Sequence, residues 1–133
     1  MQLVRFRVDF GPRCSLGPGK IALLEAIDAK GSLTQAAAKL GMSYRYAWLL
    51  LEDLKHSFDE PVARATVGGR RGGGVQLTKF GKDVVRRYAL ATRRIDAAAR
   101  TAFAPLLSKA NTGTRVKRAA KSRGRARSIK PSG

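Results

Sequence analysis

The sequence predicts a mainly α domain with a small β-sheet, a winged helix-turn-helix with a long C-terminal helix and a disordered basic tail. Three observations predict it. Two helical segments meet in a tight turn at Gly41, the second longer and amphipathic. Directly after them a glycine cluster separates two short strand-like stretches, the pattern of a hairpin. A last helical pattern then runs from Thr78 towards Phe103.

Each element has its own local signal. Val4, Phe6, Val8 and Phe10 alternate with Arg5, Arg7 and Asp9, the period of a half-buried strand, which Gly11 and Pro12 end. Pro18 stands near the start of the first helix, whose Ile21, Leu24 and Ile27 share a face and which Gly31 stops. Ser32-Leu33-Thr34-Gln35 has the form of a capping box, with Ser32 accepting an amide one turn in and Gln35 reaching back. The alanine-rich second helix ends at Gly41. Ser43 caps a third, SYRYAWLLLEDLKHSF, in which Ala47, Leu50, Leu51, Leu54 and Phe58 form the core stripe. Residues 62–66 and 75–77 are the expected hairpin strands, with the amino-terminal strand free to pair as a third. Thr78 caps the long helix through Phe80, Val84, Val85, Tyr88, Leu90, Ile95 and Ala99, and Pro105 weakens its end.

Composition bounds the function. In 133 residues, 27 Lys+Arg face 9 Asp+Glu, a formal charge of +18 that implies a polyanionic partner. Nine of the cations and no acid lie in residues 109–133, where large apolar groups are almost absent. That stretch is expected to be a disordered tail behind a folded domain at 1–108. The single cysteine, Cys14, excludes an intramolecular disulfide and a thiolate metal cluster. With one histidine, His56, and no convergent carboxylates, no acid-base or nucleophile pair suggests itself. Neither an enzyme nor a cofactor or metal site is expected. A signal-peptide run and an uncharged span of about 18 residues are both missing, so a cytoplasmic protein without a membrane partner is the expectation.

The stretch VGGRRGGGVQLTKFG, residues 67–81, lacks the Gly-Lys-Ser/Thr ending of a nucleotide-binding loop. Following a helix-turn-helix, it reads as a wing whose Arg70 and Arg71 meet DNA backbone or minor groove. In the helix pair, Ala37 is small where the helices approach, while Met42, Ala47 and Leu50 fill the angle between them. With Ala47 at the centre of the buried face, Arg45 and Leu49 point outward and Tyr44 and Trp48 flank them. Arg45 is the first candidate for base readout, because a guanidinium can make two parallel hydrogen bonds to guanine. Ser43 and Tyr44 suit phosphate or thymine methyl contacts, and Tyr46 the adjacent backbone. Thr34, at the start of the preceding helix, completes the candidate set. Trp48 has packing as its plainer reading, His56 a surface position, and the glycine-rich stretch a basic loop.

The runs GSLTQAAAKLGMSYRYAW and VGGRRGGGVQLTKFG resemble the amino-terminal DNA-binding domain of the ModE regulators, molybdate-responsive bacterial proteins whose helix-turn-helix is similar to that of LysR-type regulators. The similarity covers roughly residues 16–90, and its most specific positions are Gly41-Met42-Ser43-Tyr44-Arg45, Ala47-Trp48, and Leu77, Thr78 and Gly81. It implies a homodimer on double-stranded DNA, formed through the long helix, with Ser43, Tyr44, Arg45 and Trp48 at the operator and residues 68–74 as wing. The molybdate-binding domains of full ModE regulators have no counterpart in the sequence. The resemblance therefore implies a stand-alone form, with molybdate binding doubtful. Two other readings stay open: an architectural nucleoid protein of low sequence specificity, and an oxyanion sensor using Arg70, Arg71 and the wing amides.

Overall fold

The computed structural model describes residues 2–69 and 72–111. In chain order the elements are β1 (Val8–Gly11), β2 (Cys14–Leu16), α1 (Pro18–Lys30), α2 (Leu33–Leu40), α3 (Tyr44–Lys55), β3 (Ala63–Gly69), β4 (Gly72–Leu77), α4 (Lys79–Ala102) and α5 (Ala104–Leu107). The strands form two separate antiparallel hairpins, β1 with β2 and β3 with β4. This is a mainly α winged helix.

The helix boundaries follow local chemistry. Pro18 opens α1, where a missing N–H leaves no bond unmade, and Gly31 closes it with its amide on the Ile27 carbonyl at 2.8 Å. Ser32 Oγ accepts the Gln35 amide at 3.0 Å and Ser43 Oγ the Tyr46 amide at 3.0 Å, so both N-caps form as the sequence predicts. Between α2 and α3, Gly41 sits at φ 68, while its own amide reaches Ala38 O and that of Met42 reaches Ala37 O. That is a Schellman stop, and a side chain at Gly41 would strain it.

The core lies between α1, α3 and the wing. Leu23, Leu24 and Ile27 of α1, Leu54 of α3 and Val62 ahead of β3 are fully buried, each contributing about 1.5–3 kcal/mol by leaving water. Val75 and Leu77 of β4 and Val84 of α4 close it. The predicted stripe on α3 is present, with Ala47, Leu51 and Leu54 buried and Leu50 and Phe58 packed against them.

The amino terminus departs from expectation. Only Val8–Gly11 is strand, and its partner is β2, in register Val8↔Leu16 and Asp9↔Ser15, not the wing. Pro12 and Arg13 reverse the chain immediately after β1, and closing that short loop costs less entropy than reaching a strand some fifty positions on. Residues 2–7 run instead along α4. The amides of Leu3 and Val4 donate to Asp96 Oδ1 at 2.6 and 3.2 Å. Phe6 stacks on Tyr88 with centroids 4.5 Å apart, and the Tyr88 hydroxyl donates to the Phe6 carbonyl at 2.6 Å. Burial pushes the Tyr88 phenol above the ordinary tyrosine value, against the opposing charge of Arg5.

By packing the chain divides into Met1–Ala98 and Ala99–Gly133. In the described part of the second unit, Phe103 ends α4 and α5 is a single turn with Pro105 in its first positions, which accounts for the interruption there. The tail beyond residue 111 lies outside the described residues.

Candidate nucleic-acid interface

The candidate reading surface is the outward side of α3. Because the α3 stripe of Ala47, Leu51 and Leu54 points into the core, the intervening side chains must face out. Tyr44 and Tyr46 are each 53% exposed, Trp48 44% and Leu49 46%, and Arg45 is exposed with them. Four large apolar or aromatic groups are thus left in water on one short helix. No acidic residue falls between Gly41 and Leu51. Glu52 and Asp53 come later, where Lys55 pairs with Glu52 at 3.3 Å and Lys20 pairs with Asp53.

The structure brings four of the eight predicted residues together, Thr34, Tyr44, Arg45 and Trp48. Tyr44, Arg45 and Trp48 line one hollow of ≈ 250 Å³. A groove of ≈ 250 Å³ joins Thr34 at the start of α2, Tyr44 and Trp48 on α3, and Gly74 and Val75 on the wing. Thr34 thus shares a surface with α3, while Tyr46 stands exposed on the other flank, nearly opposite Tyr44 in rotation about the helix. Ser43 holds the Tyr46 amide with its oxygen and keeps its hydroxyl proton to donate. Arg70 and Arg71 lie outside the described residues, between the last described pair, Gly69↔Gly72.

Two close backbone approaches fix the wing against the α1–α2 turn and α4. The Val75 amide donates to the Gly31 carbonyl at 3.1 Å, tying β4 to the turn between α1 and α2. At Gly74 a Cβ would stand 2.6 Å from that carbonyl oxygen. Gly81 is tighter still, since a Cβ would come 2.0 Å from Val62 O, which also accepts the Thr78 amide at 3.0 Å. Thr78 Oγ1 accepts the Gly81 amide at 2.9 Å and donates to Pro61 O at 2.6 Å. The Leu77, Thr78 and Gly81 positions therefore form one joint between wing and long helix.

One positioning residue escaped the sequence reading. Lys20, its side chain only 13% exposed, donates to Ser15 O at 3.1 Å and Ser15 Oγ at 3.3 Å and pairs with Asp53, holding α3 against α1 and β2. A lysine in the first turn of a helix gives no hint of a partner 33 positions away. His56 Nδ1 lies 2.7 Å from Glu52 O, a local contact at the end of α3. Among the described residues no three His, Cys, Asp or Glu gather as metal ligands, and no helix is long and apolar enough to cross a membrane.

Fold and surface together define the class: a winged helix-turn-helix domain with an exposed aromatic and arginine face on the second helix of the pair. No family model matches the chain. It is 37% identical over 86 residues to the molybdenum transport protein ModE of Azotobacter vinelandii, covering 65% of this chain and 32% of that protein. To the molybdenum-pterin-binding protein MopA of Rhodobacter capsulatus it is 36% identical over 75 residues, 56% of this chain and 28% of the relative. The DNA-binding transcriptional dual regulator ModE of Escherichia coli K12 is 33% identical over 73 residues, 55% of this chain and 28% of its own length. Over 55–65% of its length the chain is thus similar to ModE and Mop proteins, as a ModE-like N-terminal domain would be. It spans about a third or less of the length of the relatives it matches.

Proposed function

We propose that this chain is a DNA-binding transcriptional regulator of the ModE-like type, acting as a homodimer. The observation that carries the reading is the outward face of α3, where Tyr44, Arg45 and Trp48 surround one hollow free of acidic side chains, and Tyr44 and Trp48 share with the wing root a groove also lined by Glu52 and Lys55. In this reading the amino-terminal end of α3 enters the major groove, where Arg45 reads a base edge. Tyr44, Tyr46, Trp48, Ser43 and Thr34 hold the backbone and thymine methyl groups. Arg70 and Arg71 carry the wing to flanking phosphates or the minor groove. Relatives named as transcriptional regulators support it. For the dimer, support comes from apolar groups left in water: Ile95 in the first unit, and Phe103, Leu106 and Leu107 in the second.

The charge of +18 favours a second reading, an architectural protein that coats DNA with little sequence choice. Binding to genomic fragments over a range of salt, with and without residues 109–133, separates the two. A regulator selects a small set of palindromic sites in both forms at physiological salt. Uniform binding that disappears with the tail establishes the architectural role instead.

A further inference from the structure

We propose that the solvent face of α4 is a second nucleic-acid surface, one that takes the phosphate backbone of a duplex other than the one read by α3. The proposal rests on the DNA-binding reading above. It starts from spacing: the pairs Arg86-Arg87 and Arg93-Arg94 recur seven residues apart, with Lys79 seven before Arg86 and Lys82 between. At about 100° per residue, Lys79, Lys82, Arg86 and Arg93 fall within about 60° of one another and Arg94 and Arg87 lie about 60° and 80° further round, so that the six span an arc of about 140°. All six are exposed. Gly81, Val84 and Tyr88 occupy the far side of the helix, turned to the core and the amino-terminal arm.

The plainer account is a solvated helix face neutralised by its own carboxylates. Asp83 does neutralise part of it, pairing with Arg86 and with Arg87 Nε at 2.8 Å. Lys79, Lys82, Arg93 and Arg94, however, make no ion pair among the described residues. Four unpaired cations on a regular helix are spread over about 22 Å, a length along which a duplex carries roughly 13 phosphate charges. Leu90, half-buried, is the one large apolar side chain on this arc, too little to seat the helix in a bilayer. Charge complementarity therefore selects a phosphate backbone. Since the opposite side of α4 packs on the core that also carries α3, a duplex on this face lies outside the fold and is free to be a second one.

The test uses the full chain and the variant Lys79→Gln, Lys82→Gln, Arg93→Gln, Arg94→Gln, because glutamine keeps helix propensity while removing charge. Protein bound to an immobilised duplex is asked to capture a second, fluorescent duplex across a salt series. The expected result is about ten-fold weaker capture by the variant, with first-duplex affinity within about two-fold and a capture salt slope lower by about 3 to 4. The milder Arg93→Gln, Arg94→Gln pair should lose an intermediate amount, and it serves as the test if circular dichroism shows the quadruple variant misfolded. Undiminished capture by a folded variant overturns the proposal, as does capture of labelled RNA in place of duplex. Sequence preference on the first duplex is scored separately. Its absence from the wild type, with capture still dependent on these four cations, sinks the regulator reading and leaves the α4 surface standing.

Discussion

At the scale of single residues, the tightest constraint is Gly81, where no side chain fits between α4 and the Val62 carbonyl. Gly81→Ala is expected to destabilise the domain by about 3 kcal/mol or more, measured by denaturant unfolding, since neither backbone can move alone. Tyr88 makes a pH prediction. Its phenol is raised above the usual value of about 10, so the protonated form favours the docked arm. Docking is complete below the unfolded value and is lost as pH rises through the folded one. Hydrogen exchange of the Leu3 and Val4 amides should accelerate there, and Tyr88→Phe, which keeps the stack on Phe6 and loses the bond to its carbonyl, should speed it at neutral pH. Protection of both amides that is indifferent to the phenol would refute this attachment of the arm. Neither feature was legible in advance. Gly81 matched a family pattern without showing the carbonyl above it, and the contacts of Tyr88 and Asp96 join positions 82 to 93 apart.

Among the elements, α3 was the most legible, because its caps and its apolar period are local properties of the sequence. Ser43 illustrates this. Its oxygen satisfies the Tyr46 amide, and Ser43→Ala is expected to cost about 1 kcal/mol in thermal unfolding. An unchanged melting temperature would mean that packing alone fixes the start of α3. Less legible was what sets the helix in place, since Lys20 and Asp53 meet only once α1, β2 and α3 are assembled. The alternation at residues 4–10 pointed to a strand, yet period two describes a half-buried extended segment as well. Val4 and Phe6 are half-buried without pairing, because the arm lies on a helix and not on a sheet edge.

For the molecule as a whole, the reading requires two copies of α3 about one helical turn of DNA apart. Ile95→Glu with Phe103→Glu is expected to convert a sedimenting dimer to a monomer, while the helical circular dichroism signal is kept. A wild-type chain that sediments as a monomer at micromolar concentration would instead remove the dimer from the account. The central claim, that the outward face of α3 reads sequence and the wing only positions, is tested most directly by one measurement. Binding of wild type, Arg45→Ala and the double variant Arg70→Ala, Arg71→Ala is profiled over a randomised duplex library. The account predicts that Arg45→Ala loses discrimination at one base position, by about 1–3 kcal/mol. The wing variant should weaken every sequence alike and lower the salt dependence. An equal loss in both variants, independent of sequence, would contradict it.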